Sequence, residues 1–164
     1  DPSKIDQVQK INETIKMRDF WMPFTPSILS GDLKKYIINK KNISSDYMTV
    51  SYDTTPLGAK HFKAAIHPYD NTIRPQRVSK TTCRTYYKLL QEFKKITGIG
   101  GLLNTSLNIH DKPIINQPLD IINEILENNT AKVGYLFIED TLYIRNKKWK
   151  KLIIFILKKI DQKK

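Results

Sequence analysis

Apolar residues recur at helical spacing in three stretches of the chain. Ile5, Val8, Ile11 and Ile15 put one buried face on a helix that Ser3 caps, with Asp6 as the capping-box acid. Thr82 to Thr97 is the strongest helical segment, with Tyr86, Leu90, Phe93 and Ile96 on one stripe and Gly98 as its C-terminal stop. Pro118 opens a third helix, with Leu119, Ile122, Ile125 and Leu126 facing inward. Shorter helices are predicted from Asp32 to Ile38 and from Pro56 towards Phe62. Asp46 to Ser51 and Thr72 to Val78 read as extended, and His67 to Tyr69 as irregular. Gly101 to Asn104 is a buried strand running into a polar turn, and Tyr135 to Ile138 with Leu142 to Ile144 form a hairpin through Glu139, Asp140 and Thr141. Pro23 and Pro26 make Phe20 to Ser30 an ordered loop or a short edge strand. Strands and helices alternate without a strict βαβ rhythm, which predicts an α/β fold of mixed twisted sheet with packed helices.

Composition narrows the class. A chain of 164 residues with 40% hydrophobic content has the length of one globular domain with a tail. Its single cysteine, Cys83, makes no internal disulfide, and residues 1–30 lack the apolar core of a signal peptide. The longest apolar run, Leu152 to Leu157, is too short to cross a bilayer, so a cytoplasmic protein is expected. The start at Asp1-Pro2, without an initiator methionine, suggests a piece of a longer protein. The formal charge of +12 favours anionic partners such as phosphates, nucleic acid or acidic membrane. Nine of the 28 basic residues fall between Arg145 and Lys164, so the body is less extreme than the total.

Several familiar chemistries are excluded. Gly98-Ile99-Gly100-Gly101 lies between a helix and a strand, whereas a phosphate loop needs strand first and helix after. His61, His67 and His110 form no ligand cluster, Cys83 has no partner at metal spacing, and no Gly-x-Ser-x-Gly nucleophile motif occurs, so no metal site is expected. Three polar clusters remain. Lys16-Met17-Arg18 closes the first helix, where cations also complement the dipole. Asp70 to Gln76 carries Thr72, Arg74 and Gln76, and reads equally as a turn leading into a strand. Leu103 to Asn108 delivers amides and hydroxyls at a strand end, where α/β sheets place ligands and where Asn-rich turns also occur.

Together these clusters resemble the carboxy-terminal, YrdC-like domain of the O-carbamoyltransferases of nodulation-factor and antibiotic biosynthesis. The opening segment of that family is similar to Ile15 through Ser27. Its Asp-Gly-Thr-x-Arg-x-Gln motif is matched by Asp70 to Gln76, with Asn71 for the glycine. Its Leu-Leu-Asn-Thr-Ser-Phe-Asn motif is matched by Leu102 to Asn108, with Leu107 for the phenylalanine. Lys112-Pro113-Ile114 and Pro118-Leu119-Asp120 echo its Glu-Pro-Ile and Pro-x-Asp. The likeness covers Asp1 to about Arg145, so the domain is placed at residues 1–146 and a basic amphipathic tail at 147–164, read as a final helix.

The resemblance implies a domain that forms carbamoyl-adenylate from carbamoyl phosphate and ATP, taken with Mg2+ as substrate and with no tightly bound cofactor. It further implies transfer to an acceptor hydroxyl by an N-terminal actin-like ATPase-superfamily domain of the full-length protein. By similarity Lys16 and Arg18 hold nucleotide phosphates or carbamoyl phosphate, Arg74 holds phosphate or the carbamoyl oxygen, and Ser106 donates to the α-phosphate. Asn104 and Asn108 fix the carbamoyl amide or the ribose, with Thr72 and Gln76 as further contacts. No residue stands out as a general base. Met22 departs from the pattern, because some members carry Arg there; Phe20 and Trp21 are read as core. The alternative is a basic RNA-binding module of the same fold, which lacks aromatics interleaved with its cations. A membrane partner is not expected.

Overall fold

The computed structural model describes residues 1–17, 19, 22–121, 133–138, 141–145 and 152–156. Its helices are α1 (Ile5–Ile11), α2 (Leu33–Tyr36), α3 (Pro56–His61), α4 (Arg84–Thr97) and α5 (Pro118–Ile121). Its strands are β1 (Thr25–Leu29), β2 (Ile37–Ile38), β3 (Tyr52–Thr54), β4 (Thr72–Ile73), β5 (Gln76–Val78), β6 (Gly101–Asn104), β7 (Tyr135–Ile138), β8 (Thr141–Arg145) and β9 (Leu152–Ile156). The fold is α/β with mixed sheets, divided into two compact units: residues 1–9 with 19–106, and residues 10–18 with 107–164. No helix among the described residues is long and apolar enough to cross a membrane.

The first unit holds two three-stranded sheets, ordered β5-β1-β6 and β2-β3-β4. β1 is the centre of the mixed sheet, parallel to β5 and antiparallel to β6. That corrects the expectation of a loop or edge strand at Phe20 to Ser30. Pairing with β5 begins at Ser27, so Pro26 lies where the strand has a neighbour on one flank only and its missing N–H costs no second ladder bond. The core is built on Ile28, Tyr36, Phe62 and Ile73, with Tyr36 and Phe62 packed edge to face at 4.8 Å between ring centroids. α4 covers the same sheet through Leu90, which meets Leu29 and Val78 with Tyr86 and Leu102 alongside. Ile96, placed on the inward stripe by its spacing, is 84% exposed instead. Gly98 ends α4 in the left-handed region at φ 77, as its position predicts.

Two further expectations shift. Asp46 to Met48 is a turn and bend and Thr49 to Ser51 is irregular, with Met48 left-handed at φ 57, and the strand begins only at Tyr52. The extended stretch 72–78 is broken at Arg74-Pro75 into β4 and β5, which belong to different sheets. α3 follows the sequence closely, with Thr55 as N-cap accepting from the Gly58 amide and Pro56 in the first turn.

In the second unit the end of α1 passes into a π turn, Asn12–Lys16. Ser3 does not cap α1 as expected: its amide and hydroxyl both donate to the Asp1 carboxylate, at 2.9 and 2.8 Å. Ile121 of α5 packs on Ile115, Val133, Leu136 and Ile138, while Leu119 points outward at 61% exposure. Ile122, Ile125 and Leu126 lie outside the described residues. β7, β8 and β9 form an antiparallel sheet. β9 occupies part of the expected tail helix: Leu152 to Ile156 pairs in register with Arg145 to Thr141, as β-branched isoleucines favour. The remainder of 147–164 lies outside the described residues.

Candidate functional site

Arg74 sits at the break between β4 and β5, flanked by two fully buried residues. Ile73 is 1% exposed in the core, and the Pro75 carbonyl accepts a 2.6 Å hydrogen bond from the buried Ser45 hydroxyl. The backbone on both sides is therefore fixed, and the exposed Arg74 side chain lines a cleft of about 310 Å³ with Thr25, His67, Asp70 and Thr72. Among the described residues Arg74 has no hydrogen-bond or ion-pair partner. Arg77, three residues on, makes the contrast. Its guanidinium grips Asp46 at 2.6 and 3.1 Å, beside a larger hollow of about 550 Å³. Asn39 and Ser45 on that wall are likewise committed to Ile43 and Pro75. A guanidinium without a counter-charge, held by rigid backbone, suits a ligand oxyanion; one already paired does not.

The turn before Arg74 is ordered by its own polar groups. Asp70 accepts from the Thr72 amide at 2.9 Å and lies 3.4 Å from His67 Nδ1. The Thr72 amide is the main cause that holds the Asp70 carboxyl below the usual carboxylate range. Asn71, which stands where the resembled family has glycine, is left-handed at φ 56. Asparagine tolerates that region better than other side chains, so the substitution preserves the turn.

Gln76 and Asn104 meet across the mixed sheet through a residue that sequence reasoning missed. Ser27 in β1 is 0% exposed, and its register partners are Gln76 on β5 and Leu102 on β6. Its hydroxyl donates to Gln76 Oε1 at 2.9 Å and accepts from Asn104 Nδ2 at 3.1 Å. Asn104 Nδ2 also donates to Gln76 Oε1 at 3.0 Å. Burial pushes the Tyr86 hydroxyl up from its ordinary value, and the Ser27 hydroxyl pulls the other way. Thr25, on the cleft wall, donates to the Asn104 carbonyl at 3.2 Å. The signal for Ser27 was a hydroxyl on the inward period of the Thr25–Leu29 run, obscured by the neighbouring proline. Ser106 follows β6 and is exposed, two residues beyond Asn104.

In the second unit Lys16 and Asn108 are brought together. Lys16 is 3% exposed, and its Nζ donates to the Asn108 carbonyl at 2.8 Å and to Oδ1 at 2.7 Å. Asn108 Nδ2 donates to the Lys112 carbonyl, and the His110 amide to the Lys16 carbonyl. So Lys16 does more than complement a helix dipole: it ties the π turn to the residues after the Asn-Thr-Ser segment. Arg18, Phe20 and Trp21 lie outside the described residues. Among the described residues no group of three or more His, Cys, Asp or Glu is placed to hold a metal ion.

An α/β unit with an unpaired guanidinium in a cleft and an oriented amide pair at its strand ends is chemically suited to a ligand bearing phosphate and amide groups. The chain belongs to the carbamoyltransferase C-terminus family, whose model matches residues 1–145. It is 33% identical over 145 residues to an uncharacterized protein of Methanocaldococcus jannaschii, covering 88% of this chain and 23% of that one. Nodulation protein NolO of Bradyrhizobium diazoefficiens is 31% identical over 127 residues, 77% of this chain and 23% of that protein. Nodulation protein NolNO of Sinorhizobium fredii is 28% identical over 127 residues, 77% of this chain and 18% of that protein. The chain thus spans about a quarter or less of the length of the curated relatives it matches.

Proposed function

We propose that this domain activates the carbamoyl group of carbamoyl phosphate as carbamoyl-adenylate, for transfer by the remainder of a longer protein. The observation that carries the reading is the unpaired Arg74, set in the family-matched motif and beside a cleft of about 310 Å³. Water cleaves carbamoyl phosphate to carbamate and inorganic phosphate. A carbamate oxygen then forms a bond to the α-phosphorus of ATP, supplied as its Mg2+ complex, as the bond to the pyrophosphate oxygen breaks. Such a reaction needs positioning and charge stabilisation more than covalent chemistry, which matches a site of Arg, amides and hydroxyls.

Arg74 binds the phosphate or carbamoyl oxygen in bidentate fashion, Thr72 adds a hydroxyl, and Ser106 donates to the α-phosphate. Gln76 and Asn104 address the carbamoyl group. Arg18 is proposed as a phosphate contact by the resemblance alone, whereas Lys16 and Asn108, which hold each other, are proposed to support the segment that follows Ser106. The acceptor-modifying step belongs to the N-terminal, actin-like ATPase-superfamily part, so the 164-residue chain should release pyrophosphate without carbamoylating any acceptor.

The test is carbamoyl-phosphate-dependent pyrophosphate release from ATP. Arg74→Ala should weaken binding by roughly 10- to 100-fold, the worth of one charged hydrogen-bonding group. Ser106→Glu sets a carboxylate against the α-phosphate and should abolish turnover; an unchanged rate in that variant refutes the assignment.

A further inference from the structure

The two amides that meet at Ser27 are not free to rotate, and this fixes what they offer a ligand. Asn104 Nδ2 donates to both Ser27 Oγ and Gln76 Oε1. Gln76 Oε1 accepts twice, from Asn104 and from the Ser27 hydroxyl. Asn104 Oδ1 and Gln76 Nε2 have no partner among the described residues, and both side chains are partly exposed. The pair therefore keeps one acceptor, Asn104 Oδ1, and one donor, Gln76 Nε2, available to a ligand. Turning one amide alone would set oxygen against oxygen or NH2 against NH2. Turning both together still leaves one donor and one acceptor, so the complementarity survives either arrangement.

A carbamoyl group is the matching shape: its NH2 donates to the acceptor and its carbonyl accepts from the donor. An acetyl group offers an acceptor alone and leaves one side of the pair unmet. We propose that Ser27 is a specificity-determining positioning residue, which by locking the Gln76–Asn104 pair makes the site select a carbamoyl group over an acyl group of the same size. Its hydroxyl is committed on both sides, giving its proton to Gln76 and accepting from Asn104. It is 0% exposed, so it acts on the ligand through the two amides and not by contact. This inference rests on the carbamoyl phosphate reading above and adds the origin of its selectivity.

The experiment compares two stable probes on the full 164-residue chain by calorimetry: phosphonoacetamide, which carries a carbamoyl group, and 2-oxopropylphosphonate, in which methyl replaces the amino group. Wild type should prefer the amide by about tenfold, the worth of one hydrogen bond. Ser27→Ala should bring the ratio to within about twofold while leaving the ketone's affinity nearly unchanged, since loss of fold would weaken both probes alike. Should Ser27→Ala not fold, Gln76→Leu must remove the preference in the same way. Arg74→Ala should weaken both probes equally. A wild-type ratio near one with both probes bound overturns the role of Ser27 and leaves the phosphate site standing, as does a preference kept in both variants. Binding of neither probe by wild type overturns the role of Ser27 and the carbamoyl phosphate reading together.

Discussion

Arg74 and Arg77 show how neighbouring residues of one type acquire different roles from their partners. Arg77 is neutralised by a bidentate carboxylate, and Arg74 is left for an incoming anion. The sequence named Arg74 through a motif, but its availability is visible only once Asp46 is seen to take Arg77. Asp32 is the other residue whose meaning came from packing. Its side chain is 5% exposed and holds Lys35 at 2.8 Å and Lys94 at 2.6 Å. Burial raises its carboxyl, but the hydrogen bonds from Lys35 and Lys94 outweigh that and the net shift is downward. A depressed folded value means that the charged form stabilises the native state. The contribution is complete above the ordinary carboxylate value and is lost as pH falls through the folded one. Denaturant midpoints should therefore drop as pH falls below about 4, and Asp32→Asn should flatten part of that drop. At neutral pH the same variant should cost about 1–3 kcal/mol, towards the lower end because Lys35 and Lys94 can turn to water at 58% and 39% exposure.

Elements were legible where one strong local rule decided them. α4 combines a helical stripe with a glycine stop, and β6 is a short apolar run before a polar turn; both appear close to where the pattern puts them. β1 was misread because proline rules are averages over positions, and the register that spares Pro26 is a tertiary fact. The strand expected at Asp46 to Ser51 failed because Met48 adopts a left-handed turn that its residue type does not advertise. The candidate site was half legible for the same reason. Motif residues were named through the family resemblance, whereas Ser27 links β5 to β6 through β1, a relation that exists only in the sheet order. α3 offers a test at this scale. Its Gly58 lies so close to α2 that an added Cβ would overlap the Tyr36 carbonyl oxygen, a backbone atom that cannot move alone. Gly58→Ala should destabilise by roughly 1–3 kcal/mol despite the better helix propensity of alanine, read as a lowered melting temperature. A neutral or stabilising outcome would mean that α3 and the Tyr36 backbone are not in this contact.

At the scale of the whole molecule the question is what a charge of +12 is for. A basic surface serves nucleic acid as readily as nucleotides, and the salt dependence of binding separates the two. Neutralising six to ten phosphates of a duplex releases their counterions and loses about 10³–10⁵ in affinity between 50 and 200 mM salt. A nucleotide held by a few fixed donors, with Arg74 as the unpaired cation in its cleft, releases far fewer. Its affinity should fall less than about tenfold over the same interval, because short-range hydrogen bonds in a cleft are screened less than exposed charge. The matched measurement is calorimetry with ATP against fluorescence anisotropy with a duplex RNA of about 16 base pairs, the span such recognition needs. We expect ATP binding that is shallow in salt and lost in Arg74→Ala, and RNA binding that vanishes by 200 mM. Sub-micromolar RNA binding with a steep slope, indifferent to Arg74→Ala, would move the function to the RNA-binding alternative. In that case the cleft residues would be structural and the excess of lysine functional, the reverse of the assignment that the paired Arg77 and the unpaired Arg74 support.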